Sequence, residues 1–164
     1  MNKFIYRLGL VAVIITAIAY ALFFQPKVQV DDSELHTKKC CFDLNEDYLV
    51  GQNYIREGAI PGVLKSAYFV DKMGNRITDD HLPFEYDIWV AEKSTYGFLH
   101  VTKNELLKLH RKTIQNHPML NRAFALILHI TPTVKNKVPH DYYLRLEYEI
   151  MGIRKSITRK AISL

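Results

Sequence analysis

Cysteine is nearly missing from this chain: two residues in 164, and those adjacent, Cys40 and Cys41. A disulfide scaffold is excluded, because a bond between neighbours closes a strained ring and two cysteines in an exported protein ordinarily pair at a distance. Glycine and proline are few, seven and six, and the glycines stand singly. That leaves no glycine-rich loop to cradle a phosphate, no collagen-like period and no low-complexity segment. Gly-x-Ser-x-Gly, His-x-x-x-His and Cys-x-x-Cys are all absent, so neither a nucleophile elbow nor a short-spaced metal pair offers itself. No Asn-x-Ser/Thr sequon occurs either, which fits a bacterial envelope protein.

A strong charge of one sign is also wanting. The net charge is +5, from 22 Lys and Arg against 17 Asp and Glu. Setting aside Lys3, Arg7, Lys27, Lys38, Lys39, Asp31, Asp32 and Glu34 leaves 17 against 14, or +3, for the remainder. Nucleic-acid binding needs a concentrated basic stripe, and no nucleic-acid partner is expected.

What the chain does have is a long uncharged apolar run, residues 8–24, preceded by Lys3 and Arg7. At about 1.5 Å per residue its 17 residues make a helix about 25 Å long, and snorkelling of Arg7 extends it to the thickness of a bilayer core. Residues 1–24 therefore read as a single-pass signal-anchor, with membrane contact through residues 8–24. The rival reading is a cleaved signal peptide, since Ala17-Ile18-Ala19 and Ala19-Tyr20-Ala21 have the small-x-small form. Leu22, Phe23 and Phe24 prolong the run past both sites and favour the anchor. Cations before the span and Asp31, Asp32 and Glu34 soon after it place the N-terminus in the cytoplasm and the rest in the periplasm, at a bacterial inner membrane.

Residues 25–45 are polar and aperiodic, and read as a stalk. Cys40 or Cys41 within it could join two copies through an intermolecular disulfide; the plainer alternative is a pair of non-essential thiols. Residues 46–164 then form the exported domain, large enough to bury a core without metal or disulfide staples.

Within that domain residues 63–70 and 76–78 read as a hairpin turning at Gly74 and Asn75. Residues 84–91 alternate, with Phe84, Tyr86, Ile88 and Val90 on one face and Glu85, Asp87 and Trp89 on the other. A further strand is expected over 96–101. Thr102 with Glu105 forms a capping box, and the apolar spacing beyond it predicts the main helix, ending near Asn116 before Pro118. Residues 123–130 lack alternation and read as a central strand, ended by Thr131 and Pro132. Residues 142–150 alternate, with Leu144, Leu146, Tyr148 and Ile150 inward and Tyr143, Arg145, Glu147 and Glu149 outward. Residues 153–163 suit a strand or a helix equally. The fold class expected is α+β: a transmembrane helix followed by a mostly antiparallel sheet packed with one main helix.

Chemistry is harder to find. His110 and His117 would lie two turns apart, roughly 10 Å, which is too far to share one zinc ion. Glu147 and Glu149 on one strand face have a geometry that a hydrolase could use, though Arg145 beside them suits an ion-paired wet face. No catalytic residue, metal site or cofactor is therefore assigned. The expected function is binding of another envelope protein, as in an accessory subunit of a secretion or conjugation machine or an immunity-type protein. Trp89, Tyr143 and Arg145 are the candidate anchors, and Arg154, Lys155, Arg159 and Lys160 a basic steering rim. A place under the helix is the other home for a lone tryptophan. The alternatives are an envelope hydrolase using the outward carboxylates and a small-ligand sensor domain.

Overall fold

The computed structural model describes residues 2–23, 27–31, 43–58, 60–91, 98–109, 111–134 and 142–161. The apolar N-terminus forms helix α1 (Asn2–Phe23). Every side chain described along it, residues 6–18 and 20, is exposed, and the Thr16 hydroxyl donates back to Ala12 O at 2.8 Å. Among the described residues no helix is long and apolar enough to cross a membrane.

The rest is built on β-structure: β1 (Val28–Val30), β2 (Asp47–Arg56), β3 (Gly62–Val70), β4 (Phe84–Ala91), β5 (Phe98–Val101), β6 (His117–Met119), β7 (Ala123–Pro132), β8 (Tyr143–Ile150) and β9 (Ile153–Lys160), with one turn of helix, α2 (Lys103–Leu106). One sheet runs β1-β2-β7-β4, with β5 also on β2; the other runs β6-β3-β8-β9. All pairings between these strands are antiparallel.

The two sheets share one core because alternate side chains of each point at the other. Val50, Tyr54, Leu126, Leu128 and Ile130 from the first sheet meet Leu64, Phe69, Leu144, Leu146 and Ile150 from the second. Phe69 of β3 joins the layers through edge-to-face contacts with Phe84 at 5.1 Å and Tyr86 at 4.8 Å. A bulge between Leu64 and Ser66 shifts the register of β3 against β8. The extra residue changes which parity faces inward, so Leu64 and Phe69 both reach the core although they are five apart in sequence.

Two polar bonds cross the interior. Gln52, almost fully buried on β2, donates to Ala161 O and accepts from the Tyr54 hydroxyl at 2.9 Å. The first bond ties the C-terminal end of β9 to the opposite sheet. Burial raises the Tyr54 phenol far above its ordinary pKa and keeps it a donor. Val28 N donates to the Tyr148 hydroxyl at 3.3 Å, a second tie between the layers.

Several sequence expectations need correction. The main helix expected from Thr102 to Asn116 is a single turn. Its capping box is present, with Thr102 Oγ1 accepting from Glu105 N and Glu105 Oε2 accepting from Thr102 N at 2.9 Å. The chain then abandons the helix because Lys112 O takes a hydrogen bond from Val90 N at 2.9 Å on the free edge of β4. The domain is thus mostly antiparallel β-structure with a few short helices, and among the described residues no main helix packs on the sheet. Strand β1 falls within the expected stalk, yet Val28 is buried in the core, so the folded unit begins before residue 46. Strands β2 and β6 had no counterpart in the sequence reading. Strand β7 runs through Pro132 instead of stopping there; Pro132 sits at the strand end, where its carbonyl accepts from Asn45 N. Gly74 has a positive φ at its turn, but Asn75 does not; its amide and side chain bond Asp71 instead. Residues 153–160 resolve as strand. Cys40, Cys41 and His110 lie outside the described residues.

Candidate functional site

The candidate anchors and rim divide between two surfaces. The outer face of the second sheet carries Tyr143, Arg145, Glu147 and Glu149 from β8, all half-buried among their neighbours. Glu147 accepts from the Tyr68 hydroxyl at 2.7 Å and from Ser66 Oγ at 3.0 Å. The Tyr68 bond foremost, against a desolvation cost and with help from Ser66 and Arg145, holds the Glu147 carboxyl below its usual range. Burial and the same bond push the Tyr68 phenol up. Glu149 is 3.4 Å from Lys65 Nζ, and Arg145 Nη2 donates to Ser156 Oγ at 3.0 Å. Arg76 stacks over Tyr68 at 4.7 Å from the ring centre. This is a cross-strand network in which one ion pair, Lys65–Glu149, stands among charged groups met by hydroxyls and an aromatic face.

The basic rim does not form one patch. On β9 the residues alternate: Arg154 and Lys160 pair with Glu149 and Tyr143 on the outer face, whereas Lys155 and Arg159 pair with Tyr148 and Leu144, both buried. Lys155 and Arg159 are accordingly half-buried at the margin of the core, and Arg154 and Lys160 are exposed. The strand period of two leaves Arg154 and Lys160 outward and sends the other two inward.

Trp89 is the main departure. It projects from β4 away from the core, as its parity requires, but is only 4% exposed. The Arg111 guanidinium covers it at 4.9 Å from the ring centre, and the His129 ring lies 6.2 Å away. Arg111 also bonds Asp87 at 3.2 Å, and the other Asp87 oxygen caps Ile88 N at 2.9 Å. The segment after α2 thus seals Trp89 and the edge of β4 together. Trp89 is a packed residue and presents no open anchor.

Beside it lies a cluster that sequence reasoning did not single out. Asp47, 8% exposed, accepts from Thr131 Oγ1 at 2.7 Å and faces His129 Nε2 at 2.9 Å. Burial opposes the charge on Asp47, but the bonds from Thr131 and His129, with the charge of nearby Lys103, hold its carboxyl below the ordinary value. The available signal was the i, i+2 spacing of His129 and Thr131, which puts both polar groups on one face of an otherwise apolar strand. The arrangement does not make a nucleophile relay. Thr131 and Asp47 meet the same ring nitrogen, and the hydroxyl bonds the carboxylate directly, whereas a relay needs acid and nucleophile on opposite nitrogens. Among the described residues there is no group of three His, Cys, Asp or Glu able to hold a metal ion.

Two concavities accompany these faces. A cleft of about 260 Å³ opens at one end of the core between Leu64, Val90, Met119 and Phe124, with exposed Leu120 at its lip. A shallower polar groove of about 450 Å³ runs between β3 and β4 past Lys65, Asp79, Tyr86 and Gln115. Tyr86 donates to Asp79 there at 2.8 Å, and burial together with that bond pushes its phenol up to about 12. Set beside protein-family models, curated proteins and solved structures, the chain matches none.

Proposed function

We propose that the chain is a membrane-anchored envelope protein whose exported two-sheet domain binds another protein, with the N-terminus in the cytoplasm of a bacterial cell and the domain in the periplasm. The observation that carries the anchor is α1 itself. Tyr6, Leu8, Leu10, Val11, Val13, Ile14, Ile15, Ile18 and Tyr20 are exposed around its whole circumference, an arrangement suited to lipid and unsuited to water. Accessory subunits of secretion or conjugation machinery and immunity-type proteins share this build.

Binding is favoured over hydrolysis by the state of the carboxylates. A glycosidase-type general acid needs a raised pKa, whereas Glu147 is lowered and committed to Tyr68 and Ser66. Glu149 is engaged by Lys65. The outer β8–β9 face, with exposed Arg154 and Lys160 beside half-buried Tyr143 and Arg145, is the surface the reading assigns to the partner. Photo-crosslinkers placed at Tyr143 and at Arg145 in the full chain, in intact membranes, should trap one defined protein, and a crosslinker at buried Leu126 should trap none. A hydrolytic activity lost in Glu147→Gln, with no crosslink at either surface position, would replace this reading with the hydrolase. Intact mass of the membrane fraction tests the anchor: a species beginning at Tyr20 or Leu22 means cleavage.

A further inference from the structure

We infer that the outer edge of β9 accepts an extended, acidic segment of a partner protein as an added strand. The inference rests on the protein-binding reading above and gives the partner its chemistry.

Strand β9 ends the second sheet, and among the described residues no strand pairs with its far side. One hydrogen bond sets the direction of its backbone groups. Ala161 N donates to Tyr142 O at 2.9 Å. By alternation Ile153, Lys155, Ile157 and Arg159 bond β8, and the amides and carbonyls of Arg154, Ser156, Thr158 and Lys160 point outward. The tight turn at Met151 and Gly152, both of positive φ, gives the same phase, because a two-residue turn of this kind is closed by a bonded pair, here Ile150 and Ile153. The Lys160 carbonyl is met by Gln52 Nε2 at 3.5 Å, which confirms its outward direction and closes that end. The groups of Arg154, Ser156 and Thr158 form the remaining docking edge, free of proline.

Charge selects the occupant. Residues 153–164 hold four cations and no acidic residue. Charges on an edge strand guard it against self-pairing: two copies of β9 side by side would bring eight cations together, and like charges opposite each other destabilise a strand pair. The same cations favour a strand with Asp or Glu at alternate positions, which share one face and would stand beside the exposed Arg154 and Lys160. Main-chain bonds would supply affinity and the carboxylates specificity.

The test uses the full chain in nanodiscs of zwitterionic lipid and three synthetic peptides: Thr-Glu-Val-Glu-Thr-Glu-Val-Glu, its Gln counterpart, and the Glu peptide N-methylated at alternate amides. The Glu peptide should bind about fivefold tighter than the Gln peptide, which is the combined effect of two exposed ion pairs. N-methylation should abolish the gain, and the Glu peptide should slow amide exchange at Arg154, Ser156 and Thr158. The R154E/K160E variant, altered only at exposed side chains, should invert the preference while melting like the parent. Equal binding of the methylated and unmethylated Glu peptides would overturn strand addition in favour of diffuse attraction. Binding to vesicles of anionic lipid but to no peptide, lost in R154E/K160E, would make the surface a lipid contact. A concentration-dependent dimer that protects the β9 amides would make the occupant a second copy. If no peptide binds while the crosslinkers at Tyr143 and Arg145 still trap a protein, the edge inference fails and the protein-binding reading stands.

Discussion

The guanidinium of Arg111 lies 4.9 Å from the centre of the Trp89 ring. The same group bonds Asp87 at 3.2 Å, so one side chain from the irregular segment after α2 both roofs the tryptophan and closes the edge of β4. Removing it should uncover the indole. In Arg111→Ala, tryptophan emission should shift to the red and become accessible to iodide, with a stability loss of about 1 kcal/mol, the size of a cation–π contact at a partly shielded site. Unchanged emission would mean that the backbone of the segment, held by the Val90–Lys112 bridge, covers Trp89 without Arg111.

Two glycines should respond very differently to the same change. A Cβ on Gly62 would stand 2.5 Å from Met119 Cε, 2.6 Å from Ile150 Cγ1 and 2.8 Å from Glu149 O. The last is backbone of the paired strand and cannot swing away. Gly62→Ala should therefore cost about 1–3 kcal/mol through overpacking. At Gly152 a Cβ meets nothing within 4 Å, but φ is +76°, so Gly152→Ala should cost about 1 kcal/mol from backbone strain alone. Denaturant midpoints of the two variants decide it; a larger loss at Gly152 would reverse the ranking of crowding over strain.

The parts legible in the sequence were those where a single local rule acts alone. Alternation gave β4 and β8 with the right residues inward, an unbroken apolar run gave β7 as the central strand, and Thr102 with Glu105 gave the cap. What stayed hidden depended on distant partners. Strand β2 places Gln52 inside and Leu49 and Ile55 on the outer face, which blurs any alternation; Gln52 is tolerated because Ala161 O, 109 residues on, accepts a hydrogen bond from it and the Tyr54 hydroxyl donates one to it. The spacing of Leu106, Leu109, Thr113 and Ile114 satisfies a helix, yet Lys112 is taken by the edge of β4. The basic rim divides into exposed and inward pairs once residues 153–160 are known to be strand, and that choice was undecidable from spacing alone.

Leu126 tests the core. It lies in β7 between β2 and β4, fully buried and facing the second sheet. Leu126→Asp would place a charge there without a partner, at a cost of several kcal/mol against a typical domain stability of about 5–15 kcal/mol. Cooperative unfolding, followed by near-ultraviolet circular dichroism, should vanish. Leu126→Ala should keep a cooperative transition weakened by about 2–5 kcal/mol, which separates cavity from charge.

The Tyr68–Glu147 bond should shape both limbs of the stability profile. The Glu147 carboxyl is held below its ordinary 4.5, so the folded state binds its proton more weakly than the unfolded chain does. Its contribution is complete above about pH 4.5 and disappears as pH falls through the lowered native value. Tyr68 is raised above 10.0; its contribution is complete below pH 10 and disappears as pH climbs toward the native value. Glu147→Gln should thus lose about 1–2 kcal/mol at neutral pH, the net worth of hydrogen bonds to a charged group. The gap from the parent should narrow steadily below pH 4.5. Tyr68→Phe should lose a similar amount at neutral pH and flatten the alkaline limb above pH 10. Because the two groups share one bond, the double variant should lose less than the sum of the singles. Additive losses at pH 7, or a gap that widens on acidification, would show that Glu147 is not held by Tyr68 in solution.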